Sequence, residues 1–87
     1  MTDDPRIEFP CDYPIRVIGV QHATFREQVV AIARRHAPDL ADASVNVQQS
    51  RDGTYCSVRF TIVATGEDQL KAMHRALMDE PGVRMVL

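Results

Sequence analysis

Three histidines and two cysteines are the side chains of this 87-residue sequence with the plainest chemistry to offer. Zinc sites draw their ligands from closely spaced Cys and His pairs, because two donors one helical or loop turn apart can close on a single ion. His22, His36 and His74 have no such neighbour three or four positions away. The spacing therefore predicts no metal and no cofactor. A Cys–His nucleophilic pair is no better supported, since Cys56 falls on the inward phase of a predicted strand, where a thiol is inert. Cys11 lies in a proline-flanked stretch, and the two thiols read as reduced side chains, not as a bridge. The acidic residues are scattered over predicted solvent faces, with no pocket to raise a carboxyl pKa. No catalytic residue is expected, and the chain does not read as an enzyme.

Three arginines remain. Arg16, Arg59 and Arg84 each sit in a strand-like segment on the phase that points away from the apolar side chains. Brought together they would make an anion site. Counted along the predicted strands they spread diagonally across the sheet instead, as separate solvated charges that discourage sheet aggregation.

The elements that must carry these residues follow from hydrophobic period and turn chemistry. Residues 1–12, with Pro5 and Pro10 among charges, read as an N-terminal arm, loose at its start. The domain follows over 13–87. Ile15–Val20 is a β-branched run, and Gly19 marks a bulge or a close backbone approach near its end. Thr24-Phe25-Arg26-Glu27 has the form of a capping box, and Phe25, Val29, Ile32, Ala33 and His36 share one helical face. Basic residues at Arg34, Arg35 and His36 suit the last turn, and Pro38 stops continuation. Val45 and Val47 alternate with Asn46 and Gln48. After the turn residues Ser50-Arg51-Asp52-Gly53, the set Cys56, Val58, Phe60, Ile62 and Ala64 alternates with Tyr55, Ser57, Arg59, Thr61 and Val63. A second helix begins at Thr65 with an inner stripe of Leu70, Met73, His74 and Leu77. Pro81-Gly82 ends it, and Val83–Leu87 reads as a last strand.

The order β-α-β-β-α-β predicts an α+β, ferredoxin-like two-layer sandwich: an antiparallel four-stranded sheet in the order 4-1-3-2 with two helices on one face. The other face is left open. With Ile15, Val17, Val83, Met85 and Leu87 inward, that face carries Arg16, Ile18, Val20, Tyr55, Arg59, Arg84 and Val86. An apolar patch rimmed by charge marks an interaction surface; the same mixture is also normal on a solvated sheet. The loop Gly19, Gln21, His22 and Thr24, ahead of the first helix, is the best place for a small ligand.

Composition narrows the partners. The formal net charge is −2, and no basic block suggests a nucleic-acid arm. RNA-binding domains of this fold class place stacking aromatics on the outward faces of the central strands. Tyr55 is the one such residue here, and the Lys/Arg-Gly-aromatic signature is absent from Thr54–Phe60. The N-terminus begins with acids and lacks an apolar stretch, so no signal peptide is read, and no run approaches the ~20 residues of a membrane span. The expected location is the cytoplasm.

Phe9-Pro10, Arg16-Val17-Ile18-Gly19, Arg35-His36-Ala37-Pro38, Ser50 to Tyr55 with Gly53, and Val83-Arg84-Met85-Val86-Leu87 together resemble the YbeD family of small bacterial proteins, from about residue 8 onward. The resemblance implies a ferredoxin-like fold similar to ACT-type regulatory domains. It also implies a cytosolic, non-catalytic binding or regulatory module with a suggested tie to lipoate metabolism. The partner expected on this reading is another protein, or a second copy, meeting the open sheet face. The alternative is an ACT-like small-molecule sensor acting as a dimer. ACT domains that bind amino acids carry an Asp-x-x-Gly-type loop where this chain has Gly19-Val20-Gln21-His22-Ala23-Thr24, and that departure counts against amino-acid binding.

Overall fold

A computed structural model describes residues 8–87. Its elements run β1 (Cys11–Val20), α1 (Phe25–His36), a 3-10 turn (Asp42–Ser44), β2 (Asn46–Gln49), β3 (Tyr55–Ala64), α2 (Glu67–Asp79) and β4 (Val83–Val86). The strands form one antiparallel sheet in the order β2-β3-β1-β4, the ferredoxin-like βαββαβ topology expected from the element order. Inward residues of β1 and β3 (Ile15, Val17, Cys56, Val58, Phe60 and Ile62) are all buried. They meet Phe25, Val29, Val30, Ile32 and Ala33 of α1 and Met73 and Leu77 of α2 in a single core.

β1 starts at Cys11, earlier than the predicted Ile15, and pairs with β3 along its whole length, from Cys11↔Ala64 to Val20↔Tyr55. Pro14 reads as a strand boundary because it has no N–H to give a ladder. The register removes the objection. The Arg16 N–H donates to the Leu87 carbonyl (3.1 Å) and the Arg16 carbonyl accepts from the Leu87 N–H (2.8 Å). Two residues earlier, Pro14 turns its nitrogen to the same side, beyond the last β4 pairing, where no bond is lost. Cys11 and Asp12, assigned to the arm, are thus strand residues, and the arm's residues 1–7 lie outside the described ones.

Both helices start differently from the expectation. Thr24 makes no side-chain cap; its Oγ1 lies 3.3 Å from His22 Nδ1 instead. α2 begins at Glu67, not Thr65. Gln69 does the joining there: its Oε1 accepts from the Thr65 N–H (2.7 Å), while its Nε2 donates to the His36 carbonyl at the end of α1 (2.7 Å). One amide side chain so ties the exit of the first helix to the entry of the second. His74, expected on the inner stripe, is exposed.

The last strand is out of the predicted phase. Val17 pairs with Val86 and Ile18 with Met85, but Gly19 pairs with Val83, so β4 carries one extra residue, Arg84, at a bulge. A bulge flips every side chain beyond it relative to strict alternation. Val86 therefore packs against the core, while Met85 and Leu87 are 48% and 61% exposed on the other face.

Candidate functional site

The arginines do not spread as the sequence suggests. Because β1 is longer at its start, Arg16 sits mid-strand and pairs directly with Arg59. Arg16 spends its backbone groups on Leu87, so the Arg16–Arg59 pair is of the non-hydrogen-bonded kind, in which the two Cα atoms approach to about 4.5 Å and side chains are closest. Like charges in this position destabilise a sheet, by an amount on the order of a few tenths of a kcal/mol. Both side chains are exposed, and among the described residues no carboxylate lies within ion-pair distance of either. Arg84, at the bulge, is not part of this pair.

Around the pair the register builds rows. Asn46, Arg59 and Arg16 run across three strands to Leu87 just past β4, with Gln48, Ser57, Ile18 and Met85 in the next row and Thr61 and Pro14 in the row before. A shallow, open depression of about 670 Å³ lies over Arg16 and Arg59, bordered by Pro14, Ser44, Asn46, Thr61 and Leu87. A second, of about 220 Å³, lies over Ile18, Gln48, Tyr55 and Ser57. Thr61 lies on this face as the alternation of β3 predicts, whereas sequence reasoning missed Asn46 and Met85 as its members. The alternation of Asn46 with Val45 and Val47 was a usable signal; for Met85 the bulge erased it.

The loop after β1 is closed by its own packing. A Cβ on Gly19 would lie 2.6 Å from the Gly82 carbonyl oxygen and 2.6 Å from the Phe25 ring, so the glycine is there to admit that ring and backbone. The Val20 N–H donates to the Gly82 carbonyl (2.9 Å), the Gln21 N–H to the Thr54 carbonyl (2.9 Å), and the His22 ring meets Phe25 edge-on. None of the depressions described is lined by Gly19, Gln21, His22 or Thr24.

The thiols are far apart. Cys11 lies opposite Ala64 and Cys56 opposite Gly19, eight residues further along the strand pair, about 27 Å at the ~3.4 Å rise of an antiparallel strand. A disulfide needs Cα atoms within about 7 Å. Burial pushes the Cys56 thiol up from its ordinary pKa, which keeps it protonated. Among the described residues no three of His, Cys, Asp and Glu gather as a metal site.

The model of a family described as "Protein of unknown function (DUF493)" matches residues 4–87. The chain belongs to the DUF493 family. Its relatives are called UPF0250 proteins, the family of YbeD, as the short motifs suggested. A UPF0250 protein of Nitrosomonas europaea is 41% identical over 87 residues, covering all of both chains. One from Pseudomonas paraeruginosa is 49% identical over 93 residues, again covering all of both. Among solved structures, this DUF493 chain is similar to protein HP0495 from H. pylori, with a TM-score of 0.73 at 15% identity over 99% of this chain and 90% of the other. The ACT domain of the GTP pyrophosphokinase of Chlorobium tepidum gives a TM-score of 0.69 at 18% identity, over 87% and 94%. These two likenesses establish an ACT-like backbone.

Proposed function

We propose that this DUF493 protein is a non-catalytic binding or regulatory module of the cytoplasm, and that its working surface is the open face of the sheet. One observation carries the reading: the face without helices holds the apolar pairs Val20–Tyr55 and Ile18–Met85 beside two arginines that have no ion-pair partner among the described residues. Apolar side chains scattered singly over a solvated face are ordinary; adjoining apolar pairs rimmed by charge mark a contact surface. The buried Cys56 thiol and the separated His22, His36 and His74 support the non-catalytic part. Replacing Ile18 with Asp tests the surface. The variant should keep the wild-type circular dichroism while the recovery of its specific protein partner from native cytosol falls at least tenfold. Equal recovery would overturn the reading.

A second reading, a dimeric small-molecule sensor, draws on the ACT-like backbone. Gly19 is already covered by Phe25, which weighs against a site in that loop. Thermal-shift measurements with amino acids and lipoate-pathway metabolites separate the two. A ligand at 100 times its Kd adds about 2.7 kcal/mol to stability, and a flat response across the panel removes the sensor reading.

A further inference from the structure

We propose that the occupant of the open face is an acidic polypeptide segment of a partner protein, one carboxylate of which is held between Arg16 and Arg59. This rests on the reading of the open face as the working surface and names what meets it. Among the described residues ion pairs form at one place, where Arg34 and Arg26 converge on Asp42 at 2.7 and 3.7 Å. In a chain of net charge −2, acids are not in short supply. Yet the two arginines that strand pairing brings side by side have no Asp or Glu within ion-pair distance among the described residues, in the arrangement that repels most. A carboxylate from outside converts that repulsion into two charge-assisted hydrogen-bonding partners, and guanidinium groups suit the geometry of carboxylates.

The surroundings specify more than charge. The Ile18–Met85 pair lies two residues from Arg16 along β1, about 7 Å at the usual strand rise. An extended partner presents successive side chains of one face at the same spacing. It would set an acidic residue on the arginines and an apolar residue two positions away on Ile18 and Met85. The depression over the arginines is broad and unroofed, and no buried polar side chain lines it. Small-molecule sites enclose most of their ligand, so a chain laid across the face fits better than a free metabolite anion. A single outward aromatic, Tyr55, gives little stacking for single-stranded RNA.

The test uses the 15N-labelled full chain and two blocked synthetic peptides with the repeat Glu-Thr-Leu-Thr and Gln-Thr-Leu-Thr, with oligouridylate and inorganic phosphate as further probes. At low salt the Glu peptide should shift the Arg16, Ile18, Ser57 and Arg59 signals and bind at least tenfold more tightly than the Gln peptide. That preference should vanish in R16Q/R59Q, whose fold is checked by its 15N spectrum, and should shrink at 0.5 M salt, roughly three times physiological ionic strength. Equal binding of both peptides, lost in I18D, overturns the acidic assignment and leaves the docking face standing. Shifts confined to other surfaces overturn both. Tighter binding of oligouridylate or phosphate at the same residues, or no binding of the Glu peptide, overturns the proposal.

Discussion

β3 presents two faces made of alternate residues of one strand, and they are governed by different physics. Towards the helices, Cys56, Val58, Phe60, Ile62 and Ala64 are each at most 2% exposed and meet complementary apolar stripes from α1 and α2. Away from them, Tyr55 and Val63 are about half exposed, and Arg59 stands against a like charge. The covered face is satisfied within the chain. Among the described residues nothing satisfies the open face in this way, and its mismatches are of the two kinds that a partner relieves, exposed apolar area and like charge side by side.

Breaking the covered face should have the largest effect. Phe60→Ala removes a ring that is 2% exposed at the centre of the core and should lower stability by about 3–5 kcal/mol in urea unfolding. Ile18→Ala, half-buried on the opposite face of the neighbouring strand, should lower it by about 1 kcal/mol. Equal losses would mean that the open face is part of the folding core. Next in size comes Gly19→Ala, which drives a methyl group against the Gly82 carbonyl and the Phe25 ring. Because one of those neighbours is backbone, the cost should be about 1–3 kcal/mol. Gly66→Ala, where an added Cβ meets nothing within 4 Å, is its control.

On the open face the sign should reverse. Arg16→Gln or Arg59→Gln relieves the same repulsion, so each should raise stability by a few tenths of a kcal/mol, and the double variant should gain little more than either. A double-mutant cycle by urea unfolding at low and high salt measures the coupling, which screening should diminish. Additive or destabilising substitutions would show that the two guanidinium groups do not oppose each other.

Most of the fold was legible in the sequence because period and turn chemistry agreed along it. The alternation from Tyr55 to Ala64 assigned every inward residue of β3 correctly, and the βαββαβ order carried the sheet topology. What escaped were quantities that depend on pairing. Pro14 hid the first four of the ten residues of β1, since a proline's harmlessness depends on which side its nitrogen faces. The bulge at Arg84 hid the phase of β4 and exchanged Val86 for Met85 on the open face. Both errors concealed the site: with β1 begun at Ile15 the arginines fall apart, and with it begun at Cys11 they meet. The loop at Gly19 was found for the right reason, a close backbone approach, but the space its missing side chain leaves belongs to Phe25.

The smallest effect concerns the turn that sets the register in which Asn46 faces Arg59. Asp52 Oδ1 accepts hydrogen bonds from the Thr54 N–H (3.0 Å) and the Ser50 hydroxyl (2.8 Å), and Gly53 takes the positive φ of 76° that the turn requires. Those bonds, the Thr54 N–H foremost, hold the Asp52 carboxyl below its ordinary pKa of 3.8. A group whose pKa is depressed on folding contributes stability that is fully present above its unfolded pKa and is lost as the pH falls through the folded one. Asp52→Asn keeps an acceptor but not the charge. Urea unfolding should therefore find the wild type slightly more stable than D52N at pH 6, with the gap closing as the pH drops below 3.8. Because the side chain is fully solvated the difference should be small, and a gap unchanged by pH would mean that packing of the turn, not the carboxylate charge, maintains the register of β2 against β3.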